Sequence, residues 1–533
     1  MSVIEKSSSD QIHSLGIKEL ESLLGSKGIE TDCHECAAIS HDVYSGGHAV
    51  EAIVRPDNVD QLAEIVRIAV NNDIDLIPRG GGMSYTSGYV PITKHSVMID
   101  MRRMNRLLEL NLEDMYVTVE AGMTWSELHD LLRDTKVRTP YWGTLSGRFA
   151  SVGGGMSQNS IFWGSGQFGT AVDNVLSMDV VLPDGSVIRT GSAAQVNASP
   201  FFRHYGPDLT GMFCCDCGAL GIKASITLRL IPRLSSQAFG SFKFNNSSQM
   251  IAAMSEISRR GLAMECFGFD PYLQSQRLKR ESISRDAEQF IGVLKSAGGV
   301  VKAVKEGAKV AFAGRRFMQD VGWSFHVMIE ERIQAAADNC LSEVRKIVRD
   351  HDGDELTDSI PKLVRANPFG PVNNMIGPEG ERWAPVHGLF PHSTATGVLD
   401  KIEELFGRFA DDIDKYEVGT GYLLATVSTN CMVIEPVFFW PDELQEVHRR
   451  HVEKNHLAGI TEFQGNEEAR NFVAKLRKLL IDLLQAEGGV HMQLGKAYPF
   501  QENLRPENKR ILIALKEEID PTNRMNPGAL GLI

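Results

Sequence analysis

The spacing of apolar residues predicts alternating helices and strands over the first part of the chain. In DNVDQLAEIVRIAVNN (57–72) apolar residues recur at helical spacing, which predicts a helix with Asp57 or Asn58 as its N-cap. WSELHDLLRD (125–134) predicts a second helix. Strands are predicted at VEAIVRP (50–56), IDLIPR (74–79), SVMIDM (96–101), YVTVEAG (116–122) and ALGIKASITLRLIP (219–232). The Pro-Asp-Gly turn at 183–185 predicts a hairpin within 175–191.

The pattern changes at about residue 236. Strands such as AFGSFKF (238–244) and WSFHVMIE (323–330) alternate with helices such as residues 333–350, which predicts an antiparallel sheet covered by helices on one face. A helix at 467–489 precedes a final segment of a different character. The chain of 533 residues is too long for one hydrophobic core. We therefore expect a first domain over 1–235, a second over 236–485, and a C-terminal segment over 486–533 that returns to the first.

Composition and charge narrow the class of protein. Hydrophobic residues make up 43% of the chain and charged residues 23%, as in ordinary soluble proteins. The formal net charge of −13 argues against nucleic acid or an anionic membrane as the main partner. No apolar run approaches the ~18 residues of a membrane span, and the N-terminus lacks the apolar stretch of a secretory signal. These features predict a cytoplasmic protein, with docking at the membrane periphery left open.

The cysteine and histidine clusters do not have the spacing of a metal site. Cys33 and Cys36 form a CxxC motif, but the cluster in MFCCDCGALG (212–221) is far away in sequence, so we expect reduced cysteines that pack as small hydrophobic residues. The charged stretch EVHRRHVEKNH contains His448, His451 and His456 at near-helical spacing. We expect this stretch to be a solvated helix face, and we predict no metal.

Two glycine-rich loops are the strongest candidates for a ligand site. Gly80–Gly82 follow a predicted strand and Arg79, and a second glycine-dense region covers residues 142–169. Bare backbone after a strand presents N–H groups that can bind phosphate, and an arginine adds charge. Neither loop is the dinucleotide-binding fingerprint or a P-loop. Either loop could be a tight structural turn, but the pair favours one elongated anionic ligand.

Several segments, taken in order, resemble a known family. These are IPRGGGMSYTSG, VTVEAGMTWSELHDLL, TLSGRFASVGGGMSQNS, FGTAVDNVLSMDVVLPDGSV and PDLTGMFCCDCGALGIKASITLRL, with VHMQLGKAYPF and DPTNRMNPGALGL at the C-terminus. Together they resemble the para-cresol methylhydroxylase (PCMH) and vanillyl-alcohol oxidase superfamily, in the branch of D-lactate dehydrogenases and the glycolate oxidase D subunit. The resemblance implies an α+β fold: a two-part FAD-binding domain of the PCMH type with a ferredoxin-like antiparallel-sheet cap domain, and FAD as cofactor.

The resemblance also implies which residues contact FAD. The first loop would line the diphosphate, and the second would follow the ribityl chain and the flavin. The implied cofactor residues are Arg79, Gly80, Gly81, Gly82, Met83, Ser84, Thr144, Ser146, Ser151, Gly153, Gly154, Asn159, Gly169, Gly221, Ile222 and Asn526. Met83 stands where some relatives carry the histidine that is joined to the flavin, so we expect non-covalent FAD. Covalent attachment of FAD through a residue of the second domain stays open. MFCCDCGALG departs from the family pattern and puts its local polar contacts in doubt.

Catalytic candidates come from two segments and one isolated tyrosine. VHMQLGKAYPF contains His491, Lys496 and Tyr498, which the family fold would bring over the flavin. GERWAPVHGLFPHS contains Arg382, His387 and His392, and Tyr141 precedes the second loop. A histidine could accept the proton of a substrate hydroxyl. Lys496 or Arg382 could bind a carboxylate, and Tyr498 or Tyr141 could polarise a phenolate.

The function expected from the resemblance is oxidation of a small alcohol-bearing molecule by hydride transfer to FAD. The metal-binding HGHxGDGNLH pattern of the D-lactate branch is absent, which favours a para-hydroxylated aromatic alcohol or an alkylphenol as substrate. D-2-hydroxy acids remain an alternative, as does an electron-transfer subunit of a larger complex. O₂, a quinone or a cytochrome could accept the electrons. We expect a homodimer that does not bind nucleic acid.

Overall fold

The computed structural model describes residues 3–280 and 322–532. The helices are α1 (Val3–Gly28), α2 (Cys33–Ile39), α3 (Val59–Asn71), α4 (Trp125–Leu132), α5 (Val152–Gln158), α6 (Ser165–Phe168), α7 (Leu209–Met212), α8 (Ser247–Arg259), α9 (Pro271–Arg280), α10 (Gln334–Asp350), α11 (Ser359–Ala366), α12 (His392–Gly407), α13 (Ala410–Lys415), α14 (Glu446–His451), α15 (Lys454–Leu457), α16 (Glu467–Ala486) and α17 (Pro506–Ile519). The strands are β1 (Ile29–Glu30), β2 (Ala52–Val54), β3 (Asp75–Arg79), β4 (Ser96–Asp100), β5 (Leu107–Asn111), β6 (Tyr116–Glu120), β7 (Val137–Arg138), β8 (Val175–Val181), β9 (Val187–Arg189), β10 (Ile222–Arg229), β11 (Ile231–Pro232), β12 (Ser236–Phe244), β13 (Glu265–Phe269), β14 (Trp323–Glu331), β15 (Asp354–Leu356), β16 (Arg382–Pro385), β17 (Gly388–Phe390), β18 (Gly419–Val427) and β19 (Cys431–Trp440).

Local sequence signals account for most of the predicted elements. Asn58 is the N-cap of α3, because its side chain accepts a hydrogen bond from the backbone N–H of Gln61. The predicted hairpin forms between β8 and β9, and Gly185 in its turn has a φ of 76°. The predicted strands appear as β2, β3, β4, β6 and β10, each within its predicted range. The second glycine-rich region differs from the prediction, because it contains the helices α5 and α6.

Two larger sheets and the small β7–β11 pair form the first part of the molecule. One has the strand order β1-β2-β4-β3, in which β2, β4 and β3 are parallel and β1 is antiparallel. The other has the order β5-β6-β10-β8-β9 and is antiparallel. The C-terminal segment returns to this part: Leu76 donates its N–H to the carbonyl of Arg524 at 2.8 Å, and Asn526 donates to the carbonyl of Leu76 at 2.9 Å. Residues 524–526 therefore lie along β3, beside the first glycine loop.

The second part is built on one large antiparallel sheet. Its order is β15-β12-β14-β13-β18-β19-β16, and β17 also pairs with β19. Helices α8, α10, α12 and α16 cover one face and form the largest hydrophobic core with it. On the other face, Phe267 and Met328 pack in one cluster with Trp142 and Trp163 of the first part. The α+β fold with an antiparallel cap sheet is therefore confirmed.

The sheet of the second part begins with Ser236, and α16 ends at Ala486. We keep the division into 1–235, 236–485 and 486–533 as a proposal that rests on these positions. None of the helices within the described residues is both long and apolar enough to cross a bilayer.

A buried ion-pair network joins the two parts. Arg138 of β7 donates to the Glu330 carboxylate of β14 at 2.8 Å, and both side chains are buried. Arg365 of α11 pairs with the other oxygen of the same carboxylate. Burial alone would raise the pKa of Glu330, but the charges of Arg365 and Arg138 outweigh it and hold the pKa below its ordinary value. The pairing therefore stabilises the fold above the unfolded-state pKa of Glu330, and this contribution is lost as the pH falls through the folded-state pKa.

Replacing Arg138 with methionine is expected to lower the free energy of unfolding by about 3 kcal/mol, because it leaves a buried carboxylate with one cationic partner instead of two. Urea unfolding followed by circular dichroism measures the change. Arg345→Met is the matched control: its 2.8 Å pair with Glu355 is exposed, and exposed pairs contribute about 1 kcal/mol or less. Equal effects of the two substitutions would contradict a special role for the buried network.

Candidate functional site

One cavity lies between the two glycine-rich loops. The empty space within it and at its opening to solvent is about 1000 Å³. The first loop, the second loop with the start of α5, the turn before β10, and Gln493 of the C-terminal segment form its walls. Of the predicted cofactor residues, those that line it are Arg79, Gly80, Gly81, Gly82, Met83, Ser84, Thr144, Ser146, Ser151, Gly153, Gly154, Gly221 and Ile222.

The first loop has glycines without side chains at Gly80 and Gly81 because the second loop packs directly against it. A Cβ on Gly80 would lie 2.1 Å from the Ser151 hydroxyl, and one on Gly81 would lie 1.8 Å from the carbonyl oxygen of Phe149. Gly82 has a φ of 73°, in the left-handed region that favours glycine. Within the described residues, no hydrogen bond uses the backbone N–H groups of residues 80–84. Close loop packing thus leaves a run of free N–H donors at the cavity, which suits an anionic group such as a diphosphate.

The second loop reaches the cavity through the start of α5. Ser151 caps this helix by accepting a hydrogen bond from the N–H of Gly154. Gly153 lies against the end of β6 in the antiparallel sheet, where a Cβ would be 2.7 Å from the Cβ of Ala121. Asn159 ends the helix in a left-handed conformation, and its buried Oδ1 has no partner among the described residues. The backbone of both loops, the small side chains and the unsatisfied donors fit FAD, whose flavin would supply the hydride-accepting chemistry.

Three predicted cofactor residues do not line the cavity. Asn159 lies just behind it. Asn526 donates from Nδ2 to the carbonyls of Gly88 and Cys217, so it holds two lining residues in place from behind. Gly169 ends α6 with a φ of 78°, where a Cβ would lie 2.3 Å from a carboxylate oxygen of Asp173. The turn that ends α6 therefore requires glycine at position 169, both for its positive φ and for the space beside Asp173.

Three of the predicted catalytic residues form one cluster. His387 is fully buried, and its backbone N–H donates to the Tyr498 hydroxyl at 3.0 Å. His491 donates from Nδ1 to the carbonyl of His387 at 2.6 Å, and its ring stacks on that of Tyr498 with centroids 4.2 Å apart. Burial, reinforced by the charges of His491 and Arg477, lowers the pKa of His387 to about 3, so its imidazole is neutral at neutral pH.

Tyr85 connects this cluster to the cavity. Its ring lines the cavity, and its hydroxyl lies 2.9 Å from Nε2 of His387. Trp383 meets the same ring edge-on at 5.4 Å, and a Glu435 carboxylate oxygen lies 3.5 Å from Nε2 of His387. Burial, followed by the charge of Glu435, raises the pKa of Tyr85 well above its ordinary value. A neutral phenol and a neutral imidazole thus form a hydrogen-bonded pair at the wall of the cavity.

The other catalytic candidates lie elsewhere. Arg382 donates to the backbone carbonyls of Val43 and Tyr44 and does not line the cavity. Tyr141 is buried behind the second loop, with its hydroxyl 2.9 Å from that of Ser160.

Lys496 also lies behind the lining. It donates to the carbonyl of Val90 at 2.6 Å and to Oδ1 of Asn526 at 2.7 Å. Burial lowers the pKa of Lys496 to about 7. Its ammonium group is therefore occupied in anchoring the C-terminal segment.

The remaining histidines have structural contacts. His392 begins α12, with Nε2 3.2 Å from the carbonyl of Thr429. The expectation of a solvated face is wrong for His448, which is fully buried with Nε2 3.0 Å from the carbonyl of Val43. His451 points Nδ1 at a carbonyl of its own helix, 2.8 Å away.

Three residues at or near the cavity were not predicted from the sequence as site residues: Tyr85, Gln493 and Glu435. Tyr85 stands three positions after the glycine triplet, and this position in the loop could have indicated that it belongs to the site. Gln493 lies between His491 and Tyr498 in the recognised C-terminal motif. Glu435 is the one charged residue in an otherwise apolar strand, and this position in the sequence could have indicated it.

The cysteines of MFCCDCGALG pack as small residues. Cys214, Cys215 and Cys217 are free thiols, and burial raises the pKa of each to about 12. Cys217 lines the cavity and accepts a hydrogen bond from the N–H of Gly495. At the positions where the family pattern has polar residues, this segment therefore offers backbone groups and packed thiols.

Comparison with known proteins identifies the cofactor domain. The profile of an FAD binding domain matches residues 50–191. The D-lactate dehydrogenase [cytochrome], mitochondrial, of Arabidopsis thaliana is 34% identical over 180 residues, which are 34% of this chain and 30% of that protein. The chain aligns with less than half the length of the curated relatives it matches.

Solved structures match almost the whole chain. A p-cresol methylhydroxylase with substrate bound has a TM-score of 0.75 at 16% identity and covers 98% of this chain and 97% of its own. The 4-ethylphenol oxidase of Gulosibacter chungangensis has a TM-score of 0.72 at 17% identity, with the same coverage. The chain therefore carries an FAD-binding domain and has the fold of the para-cresol methylhydroxylase and vanillyl-alcohol oxidase superfamily of FAD-dependent oxidoreductases.

Proposed function

We propose that the protein oxidises a para-hydroxylated aromatic alcohol or an alkylphenol, with non-covalent FAD as the hydride acceptor. The observation that carries the proposal is the Tyr85–His387 pair at the cavity wall, with Glu435 beside it. This part of the wall suits a substrate whose group beside Tyr85 is uncharged and carries a hydroxyl proton to release. The oxidation takes place at the carbon that bears the alcohol or at the alkyl carbon attached to the ring.

The distribution of charge argues against an anionic substrate group near Tyr85. The cations among the described cavity-lining residues are Arg79 and Lys223. Lys223 is buried in a 2.5 Å pair with Asp216. Arg79 lies over the Tyr89 ring, 5.1 Å from its centroid, and belongs to the glycine loop. A carboxylate placed beside Tyr85 would therefore face Glu435, and like charges at this range repel strongly inside a protein.

Two buried arginines, Arg382 and Arg477, are already occupied. Arg382 binds the carbonyls of Val43 and Tyr44, and Arg477 donates to the carbonyl of Pro385 at 3.1 Å. Arg477 also lies over the Tyr44 ring, 3.7 Å from its centroid. Binding a substrate carboxylate with either guanidinium would break these contacts, which weakens the case for a 2-hydroxy acid.

The Tyr85–His387 pair offers a route for the hydroxyl proton. In the tautomer whose Nε2 is unprotonated, His387 accepts a hydrogen bond from the Tyr85 hydroxyl. A substrate hydroxyl within reach of Tyr85 can pass its proton to the phenol oxygen as the phenol proton moves to Nε2. Glu435 would then stabilise the imidazolium that forms.

A D-2-hydroxy acid is the second candidate substrate. The 34% identity to the D-lactate dehydrogenase of Arabidopsis favours it. The phenol-oxidising proteins among the solved structures favour the aromatic class, at low identity but over the whole chain.

Anaerobic titration of the purified protein tests the proposal. We expect 4-hydroxybenzyl alcohol or 4-ethylphenol to bleach the oxidised-flavin absorbance, and D-lactate at the same concentration to leave it unchanged. Bleaching by D-lactate alone would replace the aromatic substrate with the 2-hydroxy acid. Flavin that dithionite reduces but none of these substrates reduces would favour an electron-transfer subunit. Readmission of air then distinguishes an oxidase from a dehydrogenase, and acid precipitation tests whether FAD is released.

A further inference from the structure

A second cluster of ligand-type side chains lies outside the flavin cavity, at the N-terminal edge of the parallel sheet. His13 belongs to α1, Glu51 directly precedes β2, and His95 directly precedes β4. Strands β2 and β4 are parallel neighbours, so the residues that precede them meet at the same edge. The N–H of Glu51 donates to the carbonyl of Ser96 at 2.8 Å, which fixes this register. Helix α1 packs across β1, β2 and α3 and brings His13 to the same place.

The three side chains have the geometry of a metal-binding group. One ligand atom from each of His13, Glu51 and His95 lies within 4.8 Å of the other two. Nδ1 of His95 is 2.7 Å from a carboxylate oxygen of Glu51. The rings of His13 and His95 stack with centroids 3.9 Å apart and an interplanar angle of 29°. Small side-chain rotations would bring the ligand atoms around one ion.

An unsatisfied buried nitrogen points to a missing ligand. His13 is only 5% exposed, and its Nδ1 has no hydrogen-bond partner among the described residues. A buried polar nitrogen without a partner is costly, and native proteins rarely tolerate one. The Glu51–His95 pair is more open, with 28% and 42% of these side chains exposed. A cation between the three residues would give the buried His13 ring a ligand and would still be reached from solvent through the exposed side.

We propose that His13, Glu51 and His95 form a binding site for a divalent transition-metal ion, with Zn²⁺ as the preferred ion. Two imidazole nitrogens and one carboxylate oxygen are a common ligand set for zinc with a water in the fourth position, and they do not suit Mg²⁺ or Ca²⁺. None of the three residues lines the flavin cavity. The site would fasten α1 to the sheet that carries the first glycine loop, apart from the residues of the proposed reaction.

The competing explanation is an ordinary Glu51–His95 contact near the surface beside a buried histidine. Glu51 and His95 alone would then contribute about 1 kcal/mol or less, as exposed pairs do. That explanation predicts no saturable binding of zinc to these residues. It also leaves Nδ1 of His13 without a partner.

Zinc binding to the full-length FAD-loaded protein tests the site. After removal of metals with EDTA, isothermal titration with ZnCl₂ and metal analysis after desalting are expected to give one tightly bound ion and a raised unfolding temperature. His95→Ala and the nearly isosteric Glu51→Gln are expected to weaken zinc binding by at least about 10- to 100-fold, since even supporting residues of metal sites have effects of this size. His95 is only partly buried and lies outside the hydrophobic core, so its loss tests binding with little disturbance of the core.

Controls separate this site from the CxxC motif. His34 is exposed, lies between Cys33 and Cys36, and is absent from the cluster. We expect His34→Ala and Cys33→Ser to bind zinc as the unmodified protein does. Zinc that is retained in His95→Ala, zinc that is lost in Cys33→Ser, or the absence of saturable binding would each overturn the proposal. Substrate-dependent flavin bleaching, measured on the same samples, reports on the proposed function separately.

Discussion

Replacing Gly81 with alanine is expected to remove most of the FAD from the purified protein. The added Cβ would lie 1.8 Å from the carbonyl oxygen of Phe149 and 2.5 Å from its carbon. Both atoms belong to the backbone of the second loop, so no side-chain rotation relieves the contact, and the two loops must separate. Overpacking of this kind costs about 1–3 kcal/mol, which corresponds to roughly a 5- to 150-fold loss of affinity if it falls on the FAD-bound geometry. The ratio of flavin to protein absorbance after gel filtration, and the fluorescence of FAD titrated into apoprotein, measure it.

Gly397 provides the matched control. It lies in α12, and a Cβ there would meet no atom within 4 Å. Gly397→Ala is therefore expected to keep the full FAD content and to leave stability unchanged or raise it by up to about 1 kcal/mol, because alanine favours a helix more than glycine does. Normal FAD binding by Gly81→Ala would show that the loops can separate without loss of the site.

Tyr85→Phe is expected to slow substrate reduction of the flavin by about 10²- to 10⁴-fold while FAD stays bound, if Tyr85 passes the substrate proton to His387. The substitution removes only the hydroxyl that lies 2.9 Å from Nε2 of His387 and keeps the ring that lines the cavity. Stopped-flow mixing with 4-hydroxybenzyl alcohol under anaerobic conditions measures the rate. Tyr416→Phe is the control, because the Tyr416 hydroxyl contacts Lys415 on a helix of the cap and is expected to have no effect.

The pH dependence gives a second measure of the same pair. The pKa of His387 is lowered to about 3, and the pKa of Tyr85 is raised above its ordinary value. Neither group ionises between about pH 5 and 8, so the limiting rate of flavin reduction is expected to show no titration of this pair in that range. A rate that rises with an apparent pKa near 6.5 would contradict a buried neutral His387, as would an unchanged rate in Tyr85→Phe.

Local patterns predicted most elements of the first part. The N-cap at Asn58, the Pro-Asp-Gly turn and the alternating strands act through neighbouring residues, so each is visible in a short window of sequence. The order of motifs at both ends of the chain predicted the FAD domain and the antiparallel cap. Helix α5 was not predicted from the sequence, because three of its seven residues are glycines, which disfavour helices. Packing of Gly153 against Ala121 and capping by Ser151 stabilise this helix in the structure.

The sequence by itself determined the α+β class, the two glycine-rich loops and FAD as the cofactor. Only the tertiary structure decided which polar side chains meet. Tyr85 and His387 are 302 positions apart, and Arg382 binds the carbonyl of Val43 across 339 positions. No local pattern encodes such pairs, because they depend on how a cap strand docks against a loop of another sheet. That docking leaves the Tyr85–His387 pair at the cavity and commits Arg382 to backbone carbonyls elsewhere.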